Sequence, residues 1–225
     1  MATIEKISVV DQVYKDIKRR IVTGDLDPDT KLNVRSLCEY YEVSDTPLKQ
    51  ALNRLVSDRL VVALPRKGMR VSKCTSKDIH EAIEARLMIE TFAVPAAIKA
   101  AKRSNVILKS LEKNLEEDEF LIRHTNINSY SEDSQRELEV SKEFHLIIVR
   151  SLNNDLITST YSNIKNHRYV YYQSGTDKAA QALASVNEHR QIYERLKAGD
   201  EEGMKASIIA HLKAREYDVS TVSGE

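Results

Sequence analysis

The chain has 225 residues with 34 Lys+Arg against 34 Asp+Glu, so its formal net charge is zero. That balance excludes a uniformly basic nucleic-acid coat and a polybasic membrane binder, and any polyanion must be met by local charge. Two cysteines, Cys38 and Cys74, make no disulfide framework and have no CxxC or Cys/His neighbour, while six Gly, four Pro and no Trp beside 30% charged residues point to a mostly α class. No stretch approaches the roughly 20 apolar residues of a membrane span and no export signal is visible. The expected location is therefore a reducing cytoplasm, with no membrane partner.

In chain order, Val10, Val13, Tyr14, Ile17 and Ile21 fall on one helical stripe, predicting a helix over about 8–23 with Ser8 as N-cap and Gly24 just past its end. A turn-rich run from Gly24 to Thr30 follows. An Asn33 cap opens a short second helix that buries Leu37 and one of Tyr40 or Tyr41. Ser44 opens a third, with Leu48, Ala51, Leu52, Leu55 and Val56 on its inner face and Pro47 in its first turn, where no intrahelical bond is lost. Residues 60–64 and 69–72 read as two strands around the tight loop Pro65-Arg66-Lys67-Gly68.

From Ser76 on, strand signals stop, and helices are predicted at about 76–103, 105–124, 128–152, 154–174, 177–198 and 201–218. Pro95 is expected to kink the first or divide it. Gly199 and Asp200 are expected to end one helix and cap the next. The organisation is thus a unit over 1–75 and an all-helical unit over 76–220. Residues 1–72 hold 13 Lys/Arg and 10 Asp/Glu, a balance of +3, which leaves −3 for the remainder.

Two short helices joined by Glu42-Val43, then a helix opening on small polar residues and a basic hairpin, outline a helix-turn-helix with a wing. Such a helix enters the major groove by its N-terminal end, which brings Ser44, Thr46 and Lys49 to phosphates and base edges. Arg35 is a second long donor able to reach a guanine edge. At the tip, Gly68 lets the backbone approach the sugar-phosphate surface beside Arg66 and Lys67. The plainer alternative is a small helical domain with a solvated hairpin.

Residues 13–72, with Ile21-Val-Thr-Gly24, Pro28, Lys31-Leu32, Val43-Ser44-Asp-Thr46-Pro47-Leu48-Lys49-Gln-Ala51-Leu52, Leu60-Val-Val and Pro65-Arg-Lys-Gly68, resemble the winged helix of GntR-type bacterial transcription regulators. The resemblance implies DNA contacts from Arg35, Ser44, Thr46, Lys49, Arg54, Arg66, Lys67 and Gly68. Asp45 and Lys49 stand where the family usually has arginines. An aspartate cannot donate to guanine, so it either accepts from cytosine N4 or caps the helix, and a divergent operator is expected.

His145 shares a helix face with Leu138, Ser141, Ile148 and Leu152, His189 with Val186, Tyr193 and Leu196, and His211 with Met204, Ile208 and Leu212. Three inward histidines on three helices can converge on a metal; singly, each reads as a hydrogen-bonded core residue. His80, His124 and His167 read as surface or packing residues. Arg86 and Glu90 share a face, as a structural ion pair or with Arg86 capturing an organic carboxylate. Tyr169, Tyr171 and Tyr172 are candidates to line a pocket.

Asp78-Ile79, Ala82, Arg86, Glu90, Glu143-Phe144-His145, Ile148, Asn153, Glu188-His189, Ile192, Gly199-Asp200 and His211-Leu212 are similar to the all-helical FCD effector domain of the FadR-type branch. That resemblance implies a divalent metal held by one Asp and three His, and a small carboxylate or sugar acid bound beside it. His145, His189 and His211 match the histidines, and Ser141 stands at the position of the aspartate. The loss favours zinc over harder ions such as manganese. The function implied is a homodimeric, metabolite-responsive repressor on double-stranded operator DNA. Its rivals are a metal-dependent hydrolase on the three histidines, which lacks a carboxylate in a recognisable motif, and a DNA-binding protein without an effector.

Overall fold

A computed structural model describes residues 8–73, 75–126, 131–164 and 178–220. The chain divides into two compact units, one holding the described residues up to Thr75 and the other beginning at Ser76.

The first unit contains α1 (Val9–Thr23), β1 (Lys31–Leu32), α2 (Val34–Tyr41), α3 (Asp45–Ser57), β2 (Val61–Leu64) and β3 (Gly68–Val71). Ser8 caps α1 by accepting from the Asp11 amide, and Gly24 closes it at φ 82°, a left-handed geometry that costs glycine no Cβ clash. The apolar stripe of α1 buries Val13, Ile17 and Ile21 against Leu48, Ala51, Leu52 and Leu55 of α3, all four fully shielded. Burial of this kind stabilises by about 1.5–3 kcal/mol per large side chain, so this helix pair is the unit's main support. Asn33 caps α2 through the Ser36 amide. Helix α2 rests on the core less deeply: Leu37 is half-buried, Tyr40 is exposed and Tyr41 is half-buried, with its hydroxyl donating to Asp16 Oδ2 at 2.7 Å.

The strands form an antiparallel sheet in the order β1-β3-β2, with Val61 opposite Val71 and Leu64 opposite Gly68. The hairpin is the expected wing. Strand β1, paired to Met69 and Arg70, was not expected, because two residues are too few to show alternation.

The second unit contains α4 (Ser76–Arg103), α5 (Val106–His124), α6 (Glu132–Arg150), α7 (Asp155–Ile164), α8 (Lys178–Ala198) and α9 (Glu201–Ser220). Helix α4 runs undivided through Pro95, with buried Ala93, Val94 and Ala97 around it. Helix α6 opens on a reciprocal cap in which the Ser131 and Ser134 hydroxyls each accept from the other's amide. At the α8–α9 junction Gly199 takes φ 70° and Asp200 accepts from the Gly203 amide at 2.9 Å, the predicted stop and start. Of the expected helix over 154–174, the part beyond Ile164 lies outside the described residues, as do Tyr169, Tyr171, Tyr172 and His167. No described helix is long and apolar enough to cross a membrane.

Candidate functional site

In the first unit, α3 presents its N-terminal turn to solvent. Ser44 has N-cap geometry without a side-chain cap bond. Asp45 does not cap the helix either: its carboxylate takes Lys49 Nζ at 2.5 Å, one turn on, with both side chains more than half exposed. The pairing raises the Lys49 pKa, chiefly through that hydrogen bond. Thr46 lies in the same exposed turn. Arg54 is held by Asp11 Oδ1 at 2.5 Å and lies over the Tyr14 ring at 4.3 Å, so it braces α3 on α1. Arg35 leans on Glu39 at 3.3 Å while remaining 90% exposed. At the wing tip, Arg66 at φ 61° and Gly68 at φ 86° both take left-handed backbone, and Arg66, Lys67 and Gly68 are exposed. The cations that can meet phosphate are therefore of two kinds, those on helices already matched to carboxylates and those of the wing.

In the second unit, His145 of α6, His189 of α8 and His211 of α9 meet in the interior. They are 0%, 0% and 1% exposed, and a donor atom from each lies within 4.8 Å of the others. His145 Nε2 is 3.0 Å from His189 Nε2, and the His211 ring centroid is 4.9 Å and 4.7 Å from theirs. Phe144 stacks on His189 at 4.4 Å and shuts one side.

Each imidazole has a carboxylate on its Nδ1 side. Glu90 Oε2 of α4 is 2.7 Å from His145 Nδ1, Glu188 Oε2 of α8 is 2.7 Å from His211 Nδ1, and Asp118 Oδ2 of α5 is 3.9 Å from His189 Nδ1. At His145 and His211 an Nδ1–H bonded to the carboxylate leaves Nε2 as the lone-pair nitrogen, the tautomer a metal requires, while at His189 the carboxylate stands at ion-pair distance. The His145 pKa is driven well below its ordinary value, first by burial and then by Arg86, against the pull of Glu90, so the ring is neutral at physiological pH. Tetrahedral zinc with bonds of 2.0–2.1 Å sets ligand nitrogens roughly 3.3 Å apart, close to what the first pair shows. The three residues thus fit a divalent metal, with Nε2 of each as the ligand atom.

Behind Glu90 lies a buried ion pair. Arg86 Nε donates to Glu90 Oε1 at 2.8 Å, and the Tyr161 hydroxyl of α7 donates to the same oxygen. Burial would raise the Glu90 pKa, but the charge of Arg86 and the contact with His145 reverse it, and the carboxylate is held well below its usual range. Removing either partner strands the other charge, at a cost of about 3–5 kcal/mol. Of the two alternatives for Arg86, the ion pair with Glu90 is present. Its Nη2 is nonetheless buried with no hydrogen-bond partner among the described residues. Ser141 is 1% exposed, one turn before His145 on the same helix.

The sequence placed the histidines inward and paired Arg86 with Glu90, but it missed Asp118, Glu188 and Tyr161, and it missed that Glu90 holds His145. No sequence motif joins a carboxylate to the histidines, yet three carboxylates reach them in space, from three helices. Only Glu188, adjacent to His189, carried a local signal. His80 and His124 are surface residues, the former beside Glu84 and the latter stacked on Phe120.

Residues 9–71 match the bacterial regulatory proteins of the gntR family, and residues 81–214 match the FCD domain. The Bacillus subtilis HTH-type transcriptional regulator YdhC, itself uncharacterized, is 27% identical over 202 residues, 89% of this chain and 86% of that one. The gluconate operon transcriptional repressor of Bacillus licheniformis is 30% identical over 156 residues, 68% of this chain and 59% of the repressor. Among solved structures, E. coli McbR/YncC has the same fold at TM-score 0.67 and 21% identity, over 96% of this chain and 98% of that one.

Proposed function

The chain belongs to the gntR family of bacterial regulatory proteins and carries an FCD domain, and from that premise we propose a cytoplasmic, homodimeric repressor whose hold on operator DNA is set by a small organic acid. The observation that carries the reading is the closed three-histidine centre, with its buried Arg86–Glu90 pair, in the unit that follows a winged helix. In this reading Ser44, Asp45, Thr46, Lys49, Arg35, Arg66, Lys67 and Gly68 meet DNA, while Arg54 acts by fixing α3. The three imidazoles would hold a divalent metal, zinc by preference, which would supply Lewis acidity for an effector oxygen. Ser141, buried one turn before His145, and Arg86, whose Nη2 is a buried donor, would be the side chains to meet an effector carboxylate. A relative named for the gluconate operon makes sugar acids the first class to screen.

Two winged helices on one two-fold operator require a dimer. Met88 and Phe92 of α4, 75% and 68% exposed, lie with Ile209 of α9 along a groove that also includes Pro95 and Leu152. This is the exposed apolar face best suited to a second copy. The hydrolase reading is weaker on geometry. A general base must face the metal-bound water, and Glu90 and Glu188 are engaged on the far side of their imidazoles.

The test is a thermal-shift screen of sugar acids and central carboxylates, followed by operator binding with each hit. One organic acid is expected to raise the melting temperature and change operator affinity at least tenfold. A ligand that stabilises the protein and leaves DNA affinity unchanged would overturn the coupling.

A further inference from the structure

Three neutral imidazoles leave the charge of a divalent ion unbalanced. The position one turn before His145 is Ser141, so α6 brings no anionic oxygen to the cluster. A divalent ion on three neutral imidazoles would then stand in a buried site with nothing of opposite sign in its coordination shell, at a desolvation cost of several kcal/mol. The carboxylate nearest in kind, Asp118, is no replacement. His189 Nε2 faces His145, whereas Asp118 lies on the Nδ1 side of the same ring.

Resting on the proposed metal reading, we propose that this centre is an all-imidazole site whose counter-charge sits in the outer shell, with Glu90 and Glu188 as positioning residues bonded to Nδ1 of His145 and His211 and Asp118 as a buried counter-charge 3.9 Å from Nδ1 of His189. Three observations carry it. The three carboxylates come from α4, α5 and α8, and each lies on the far side of its imidazole from the convergence of Nε2 atoms. Glu90 is fully buried, with one oxygen bonded by Arg86 Nε at 2.8 Å and the other 2.7 Å from His145 Nδ1. Asp118 is 1% exposed and so stands in the interior beside His189. Hydrogen bonding to a carboxylate makes an imidazole a stronger donor to a metal. A charge supplied through nitrogen favours borderline ions over those that demand oxygen, so the site selects zinc or cobalt against manganese or magnesium.

The experiment uses the full chain, stripped with a chelator and titrated separately with Co(II), followed by its visible bands, and with Mn(II), followed by its paramagnetic resonance. Wild type is expected to bind Co(II) with the intense bands of a low-coordinate nitrogen site and to bind Mn(II) at least 100-fold more weakly. Ser141→Asp is expected to narrow that gap at least tenfold by restoring an anionic oxygen. Glu188→Gln, whose side chain is partly exposed, and Asp118→Asn are expected to lose 10–100-fold in Co(II) affinity. Their Co(II) bands are expected to shift from those of wild type, a readout that a merely structural role would not move. Equal affinity of wild type for the two ions, or Co(II) affinity unaltered in both carboxylate variants, overturns the outer-shell assignment and leaves the metal reading intact. Failure of wild type to bind Co(II) or zinc at all overturns both.

Discussion

At the residue scale, the informative side chain of the DNA-reading head is Asp45. It sits in the first turn of α3, where a negative charge is favoured by the helix dipole, and it occupies the ammonium of Lys49. Lys49 is thereby withheld from phosphate until the pair opens. Asp45→Asn is expected to free one cation for the DNA backbone, tightening binding to a random duplex three- to tenfold at low salt. The slope of log affinity against log salt should steepen by about 0.9, the increment for one additional phosphate contact. Fluorescence anisotropy over a salt series measures both, and an unchanged slope would show that Lys49 meets phosphate with Asp45 in place. Asp45 also bears on base choice. Selection from random DNA is expected to return half-sites that differ from the ordinary family consensus, because a carboxylate accepts from cytosine N4 and gives guanine nothing.

At the scale of elements, α2 is the part of the winged helix with the least core beneath it, since none of its residues is fully buried. Its attachment to α1 includes the hydrogen bond from Tyr41 to Asp16. The Tyr41 pKa is pushed up to about 12, first by burial and then by that aspartate. The folded state therefore keeps its proton where the unfolded chain, titrating near 10, has lost it. The resulting stability is complete below pH 10 and is lost as pH rises from about 10 to 12. Tyr41 is only partly buried, so solvent screening reduces the full effect to roughly 1 kcal/mol. Urea unfolding at pH 9 and pH 11 is expected to show a loss larger in wild type than in Tyr41→Phe by about half of that amount. An equal loss in both proteins would place the alkaline sensitivity elsewhere.

Legibility differs between these elements for physical reasons. Helices α1 and α3 were readable because their buried residues repeat at the helical period and their caps are local. Strand β1 was not, since its partner β3 lies almost 40 residues on and a two-residue strand has no pattern of its own. The histidines betrayed themselves by sharing faces with leucine and isoleucine. Asp118 and Glu90 did not, because a lone buried carboxylate on a charged helix looks like any solvated acid until a second helix packs over it. Arg86 and Glu90 were recognisable as a pair at i, i+4, yet the second oxygen of Glu90 serves a histidine 55 positions away. No spacing rule reaches that far.

At the scale of the molecule, the charge balance of zero resolves into a basic head and an acidic helical unit, but the stronger organisation is in the helical unit itself. Its centre draws a side chain from every described helix there: Arg86 and Glu90 from α4, Asp118 from α5, His145 from α6, Tyr161 from α7, Glu188 and His189 from α8, and His211 from α9. The three histidines would tie a metal there to α6, α8 and α9, and their carboxylate partners would extend the tie to α4 and α5, so occupancy and packing would be one equilibrium. Zinc present at 100 times its dissociation constant contributes about 2.7 kcal/mol to the native state. For a unit of this size each kcal/mol moves the melting temperature by about 2–4 °C, so chelation is expected to lower it by roughly 5–10 °C and added zinc to restore it. His189→Ala, which removes one ligand, should show a lower starting temperature and no response to either treatment. Because the comparison is made with and without zinc within each protein, the variant's own destabilisation does not enter. Calorimetry in which wild type melts at the same temperature with chelator as with zinc would separate the centre from the stability of the bundle, and with it the route by which an effector at the metal could reach the DNA-reading head.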